Sequence, residues 1–239
     1  MESFPNDTKF KYPWRSYQAR VLSELEEHLD DNRLHVVAAP GSGKTVLGLE
    51  ALRRINKPTL ILAPTITIKN QWVDRFVNLF LKDCKKKPDW VSTDIKNPSF
   101  LTVSTYQGLH SAYKGIVDNE EIEEKTEEET EEEKYVEKID IKKTNIIDKL
   151  KKAGIKTIVV DEAHHLRTEW WKSLNSVIRK LGKIKIVALT ATPPYDVSPL
   201  EWDRYEQLCG PVDAEISVPE LIKEKNLCSH QDLVYLSKP

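Results

Sequence analysis

The chain has 239 residues, 39% of them hydrophobic and 31% charged, with a net charge of −2, enough apolar material for one large core or for one domain with a small insertion. No run approaches the roughly 18 apolar residues of a membrane span, and residues 1–12 are polar and mixed without an apolar leader core, so a soluble, cytoplasmic protein without a membrane partner is expected. The cysteines, Cys84, Cys209 and Cys228, stand far apart without CxxC spacing, which argues against a disulfide framework and against a zinc site.

Residues 14–30 show helical spacing, with apolar Val21, Leu22, Leu25 and Leu29. A short apolar run at 34–39 ends in a glycine-rich turn, and 45–55 reads as a helix. A second apolar run at 59–63 precedes a long amphipathic helix at 68–81. Runs at 100–104, 155–160 and 184–189 predict further strands, with a helix at 170–181 between the last two. Short all-apolar strands alternating with amphipathic helices indicate parallel strands buried on both faces. The fold class is therefore α/β, a doubly wound, mostly parallel sheet with right-handed crossovers. Beyond Thr192 the pattern is less regular; 212–218 suits a strand and 219–225 a short helix, and the chain reaches Pro239 without room for a second α/β unit.

Residues 118–138 break the rhythm. Between Asp118 and Glu133 stand eleven acids and one lysine, a local charge of −10 that leaves +8 on the remainder. Such a segment cannot enter a core and is expected as an acidic insertion, a solvated loop or an exposed helix. A competing reading makes it a gate over a basic nucleic-acid face. The basic remainder suits a phosphate-binding surface but equally a lysine-rich solvated one.

Two motifs carry chemistry. Ala39-Pro40-Gly41-Ser42-Gly43-Lys44-Thr45 follows a predicted strand and opens a predicted helix, the context a phosphate-binding loop requires. Its glycines let successive N–H groups curl toward a phosphate, and the helix N-terminus adds partial positive charge. Lys44 would reach the β- and γ-phosphates of ATP and the Thr45 hydroxyl would ligate Mg²⁺. Ala38 stands where the common pattern has its first glycine. The second motif is Asp161-Glu162-Ala163-His164, directly after the apolar Ile158-Val159-Val160. A parallel strand would deliver both carboxylates to the edge where the phosphate loop opens, Asp161 to hold Mg²⁺ and Glu162 to polarise the attacking water. His164 and His165 lack the i, i+4 spacing of a zinc helix, and His164 is read as a relay to the next motif.

Together these residues resemble superfamily 2 DEAD/DEAH-box helicases, specifically their N-terminal RecA-like, ATP-binding domain. The phosphate loop is similar to motif I and Asp161–His164 to motif II. Leu189-Thr190-Ala191-Thr192-Pro193 resembles motif III, in which Thr190 and Thr192 would couple nucleotide state to domain movement. Ala63-Pro64-Thr65, with Gln71-Trp72 behind it, resembles motif Ia. Val103-Ser104-Thr105-Tyr106-Gln107 resembles a later nucleic-acid-contacting motif. Trp14-Arg15-Ser16-Tyr17-Gln18 resembles the upstream Q-type motif, which implies adenine recognition by Gln18 with Arg15 beside it. The resemblance runs from about residue 12 to 225 in the family's order and lies closer to the repair-helicase and restriction-subunit branch than to the RNA-processing one. It implies one ATP-binding domain over residues 1–235, with ATP and Mg²⁺ as cofactors.

Nucleic-acid contacts are implied for Pro64, Thr65, Lys69, Thr105 and Gln107, with DNA favoured over RNA. Thr65 and Thr105 also suit helix N-caps. Trp170 and Trp171 could stack on bases or pack their helix onto the sheet. No counterpart of the later motifs is present, so a second RecA-like domain with its arginine finger is an expected partner missing from this chain. The alternatives are a nucleotide-switched interaction module without motor activity, the motor part of a restriction or defence system, and an unrelated phosphate-loop kinase or signalling ATPase, against which Thr190-Ala191-Thr192 and Gln18 argue.

Overall fold

A computed structural model of the chain describes residues 1–82, 84, 86–115 and 146–228. The acidic insertion expected at 118–138 lies outside them. The described chain runs α1 (Ser16–Glu26), β1 (Arg33–Ala38), α2 (Lys44–Ile55), β2 (Thr59–Ala63), α3 (Ile66–Phe80), β3 (Val91–Ser92), β4 (Leu101–Thr105), α4 (Tyr106–Lys114), α5 (Ile146–Lys152), β5 (Thr157–Asp161), a 3-10 turn (Ala163–His165), α6 (Thr168–Leu181), β6 (Lys185–Thr190), α7 (Pro199–Cys209), β7 (Ala214–Ile216) and α8 (Val218–Lys223). The strands form one seven-stranded sheet in the order β3-β4-β2-β5-β6-β1-β7, and every pairing is parallel.

Side chains alternate across a strand with a period of two, and here both sets are apolar. Val36, Ile61, Val159 and Val187 share one core with the apolar stripes of α1, α2 and α3. Leu60, Leu62, Ile158, Val160, Ile186 and Ala188 face the opposite way and share a second core with α4, α5, α6 and α7. That double burial explains the unbroken apolar runs and selects the doubly wound architecture. Among the described residues no helix is long and apolar enough to cross a membrane.

Because all strands point one way, the loops following β4, β2, β5, β6 and β1 open at one edge of the sheet, in that spatial order. The register brings the site segments together. Asp161 pairs with Leu189, Val37 with Thr190 and Ala63 with Thr105. At the flank, β7 pairs with β1 through Val36–Ala214 and Ala38–Ile216, and the Ala39 N–H donates to the Ile216 carbonyl at 3.0 Å.

His35, buried on β1 at 2% exposure, locks this flank. Its Nδ1 lies 3.0 Å from the Gly210 carbonyl, which can only accept, so Nδ1 carries the proton and Nε2 accepts from the Tyr205 hydroxyl 2.9 Å away. Burial holds the imidazole pKa below its ordinary 6.5, against smaller raising effects of Gly210 and Asp213. The unfolded chain therefore takes up a proton near pH 6.5 that the fold refuses, and stability falls as pH drops below that value. Denaturant melts at about pH 7.5 and about pH 5.5 are expected to show this loss, and His35→Gln, which keeps hydrogen-bonding groups, to flatten the slope.

Candidate active site

The loop after β1 is shaped by two glycines in the left-handed region, Gly41 at φ +82° and Gly43 at φ +88°. Gly43 is the N-cap of α2 and no side chain caps that helix, so the N–H groups that open it suit an anion. Gln18 braces the loop. Its Nε2 donates to the Ser42 carbonyl at 3.0 Å, while its Oε1 accepts from the Arg15 N–H, the N-cap of α1, at 3.3 Å. In this structure the Gln18 amide is thus turned to the backbone at both ends, and one Nε2 hydrogen remains for any other partner. Arg15 is directed to the Tyr17 hydroxyl at 3.0 Å.

Across the edge, Asp161 is the last residue of β5 and Glu162 the first beyond it. Glu162 adopts φ 52°, ψ 54°, uncommon without a glycine, and its N–H donates to the Leu189 carbonyl at 2.7 Å. Its Oε1 meets the Lys44 ammonium, and its Oε2 accepts from the Ala191 N–H at 3.2 Å. Thr190 Oγ1 joins the same carboxylate at 3.4 Å and lies 2.9 Å from His164 Nδ1. Burial, then the neighbouring His165 and Lys44, holds the His164 pKa down at about 4. Its 3.4 Å approach to Glu162 is therefore that of a neutral ring, not of an ion pair. The Thr192 N–H donates to Thr190 Oγ1 at 3.3 Å. The expected phosphate, carboxylate and coupling residues thus form one connected group.

Asp161 is almost fully buried at 2% exposure. Its Oδ2 accepts from the Trp72 indole at 2.7 Å; its Oδ1 is buried with no hydrogen bond and stands 3.8 Å from Lys44 Nζ. Burial raises the carboxyl pKa, opposed first by Lys44, and burial lowers that of Lys44, opposed by Asp161. The Thr45 hydroxyl, also buried, accepts from Arg75 at 2.7 Å. A carboxylate oxygen without a hydrogen bond, 3.8 Å from one ammonium, and a hydroxyl held by one guanidinium are oxygen donors that suit a hard divalent cation. Between these groups and the N-terminal segment opens a cavity of about 570 Å³, lined by Tyr12, Pro13, Arg15, Gln18, Pro40, Gly41, Gly43, Lys44, Thr45, Arg75 and Glu162 among others.

Farther along the edge, Thr65 Oγ1 accepts from the Ile68 N–H at 3.2 Å and Thr105 Oγ1 from the Gly108 N–H at 3.0 Å. Both are N-caps, Thr105 at the end of β4 and Thr65 two residues beyond the neighbouring β2. Pro64 precedes Thr65, Gln107 is exposed, and Lys69 Nζ reaches toward the Thr93 carbonyl at 3.5 Å. Trp170 and Trp171 pack onto the second core. Trp170 stacks on Tyr106 at 6.3 Å and Arg204 covers Trp171 at 5.3 Å, so the packing alternative describes them.

Sequence reasoning gave no role to Arg75, to the Trp72 indole or to Tyr12 and Pro13. Trp72 and Arg75 are three apart on one amphipathic helix and so share a face; that spacing was available, but not which loops the face would meet. Tyr12 and Pro13 directly precede the Q-type segment, and their position was the available signal.

The fold and the site define a RecA-like domain of the superfamily 2 helicase kind. Residues 11–195 match the family described as the Type III restriction enzyme, res subunit, and the chain belongs to that family. It is 27% identical over 213 residues to the DNA 3'-5' translocase XPB2 of Sulfurisphaera tokodaii, covering 89% of this chain and 38% of that protein. Solved structures share the fold, among them the following two. One is a nuclease-deletion mutant of the Type ISP restriction-modification enzyme LlaGI in complex with a DNA substrate mimic, with a TM-score of 0.55 at 18% identity over 90% of this chain and 21% of that one. The other is the Hef helicase domain of Pyrococcus furiosus, with a TM-score of 0.55 at 16% identity over 88% and 39%. The chain thus spans well under half the length of each.

A methyl group at Gly43 would lie 2.6 Å from Gln18 Nε2 and force a left-handed alanine. Gly43→Ala is expected to lower stability by about 1–2 kcal/mol, read from denaturant melts.

Proposed function

We propose that this chain is the nucleotide-binding part of an ATP-driven motor acting on DNA, with ATP and Mg²⁺ seated in the cavity beside the phosphate loop. The observation that carries the reading is the convergence of Lys44, Thr45, Asp161 and Glu162, from two segments 118 residues apart, at one edge of the sheet. Bound ATP supplies the phosphoanhydride bond whose cleavage drives the motor, and Mg²⁺ neutralises charge on its phosphate oxygens.

The chain's own residues do the rest. Gly41 and Gly43 offer backbone amides to the phosphates on either side of Ser42, whose N–H donates to the Ala39 carbonyl, after Pro40 turns the chain. Lys44 would leave Glu162 for the phosphates, and Thr45 and Asp161 would hold the cation. The freed Glu162 Oε1 then orients water and accepts its proton. Gln18 offers its remaining amide hydrogen to the base, with Arg15 and the exposed ring of Tyr12 alongside. His164, Thr190 and Thr192 transmit the state of the Glu162 carboxylate to the turn after β6.

The neighbouring caps at Thr65 and Thr105, with Pro64, Lys69 and Gln107, form the surface for a sugar–phosphate backbone, which such groups contact without reading sequence. DNA as the polymer is supported by the relative named a DNA translocase and by the restriction-enzyme family. Residues 1–235 act as one domain, and a second RecA-like domain supplies the arginine finger, a contribution of roughly 10³–10⁵ in rate.

Calorimetry with Mg²⁺ and a non-hydrolysable ATP analogue tests the reading. Lys44→Ala is expected to weaken uptake at least about tenfold, the scale of one hydrogen bond to a charged group. A wild-type chain that takes up no analogue at millimolar concentration overturns it.

A further inference from the structure

Helix α3 enters the nucleotide site from below. Trp72 is completely buried, and its indole N–H is spent on a single acceptor, Asp161 Oδ2, at 2.7 Å. One turn along, Arg75 Nη1 donates to Thr45 Oγ1 at 2.7 Å. The two acceptors come from different segments, the end of β5 and the first turn of α2, yet both supports come from one helical face. Packing alone does not require this pairing. Phe76 and Phe80 fill the same core without a polar atom, whereas an indole brings an N–H that must find a partner.

Room for the indole is built in. A methyl group at Gly48, in the middle of α2, would stand 2.7 Å from Trp72 Cη2 and 2.6 Å from Leu189 Cδ1. A glycine inside a helix costs stability, and here it lets the indole pass beneath α2. With Oδ2 held by Trp72, Oδ1 is the carboxylate oxygen left without a hydrogen bond.

We propose that Trp72 and Arg75 are positioning residues of the nucleotide site, holding Asp161 and Thr45 from a shared helix so that both present oxygen to one divalent cation. This rests on the reading of Asp161 and Thr45 as metal ligands given above. Outer groups that orient metal ligands commonly govern about 10–100-fold in metal affinity.

Calorimetry of the full chain with a non-hydrolysable ATP analogue, in Mg²⁺ and in EDTA, isolates the metal-dependent part of the affinity. In Trp72→Phe, which keeps a ring but has no N–H, that part is expected to fall about tenfold while the affinity in EDTA stays as in the wild type. Arg75→Gln is expected to lose metal dependence similarly, and Arg75→Lys, which keeps a donor, to recover part of it. A variant that folds and keeps the wild-type metal dependence strikes its residue from the proposal. If Trp72→Phe does not fold, the Trp72 indole N–H resonance of the wild-type chain serves instead. A shift when Mg²⁺ is added to the analogue-bound chain supports the assignment, and an unmoved resonance overturns it. A wild-type chain that binds the analogue equally in Mg²⁺ and EDTA removes the metal-ligand reading itself, and this proposal with it.

Discussion

Lys44 against Glu162 is the contact on which the site is organised. Both side chains are largely withdrawn from solvent, at 14% and 18% exposure, and either charge alone in that position would be costly. Pairing them removes the cost, and it demands that the loop after β1 and the loop after β5 reach the same place. The sheet meets that demand by setting β6 between the two strands and running all three in parallel. The intervening strand also takes part, because the Ala191 N–H of its following turn binds the other oxygen of Glu162. One carboxylate therefore ties three loops, and a change in its partner is felt by all of them.

Much of the fold was legible because burial on both faces makes strands apolar without interruption. The runs ending at Ala63 and Leu189 could not have been solvent-facing. Boundaries moved by one or two residues where polar groups extend a ladder. Asp161 belongs to β5 because its backbone stays in register with Leu189 although its side chain carries chemistry, and Thr105 ends β4 for the same reason. What escaped notice had weak periodicity. β3 is two residues long. α7 buries Tyr205, Leu208 and Cys209 while leaving Leu200 exposed, so its apolar stripe is poorly marked; its real signature was the Ser198–Glu201 capping box with Pro199 at the first helical position.

The site divided along a similar line. The glycines, Lys44, Asp161 and Glu162 stand out in the sequence because the phosphate and metal chemistry proposed for them restricts residue type and spacing together. Gln18 was found by its motif, yet its embrace of the Ser42 carbonyl depends on how α1 lies against the loop, which no local pattern encodes. Trp72 reads as ordinary core from its helical spacing, and most of its ring is just that. Only the direction of one N–H distinguishes it, and direction is a property of packed helices, not of a sequence window.

The outer strand β7 has a bearing on where this domain can be cut. The family match ends at residue 195, but 214–216 completes the sheet beside β1, and Ile216 receives the N–H of Ala39 at the root of the phosphate loop. Leu227 reaches farther still, its Cδ2 lying 3.5 Å from where a side chain on Gly41 would begin. A fragment trimmed to the matched segment would leave β1 as a raw sheet margin, open to pairing with another molecule, with its nucleotide loop anchored on one side only.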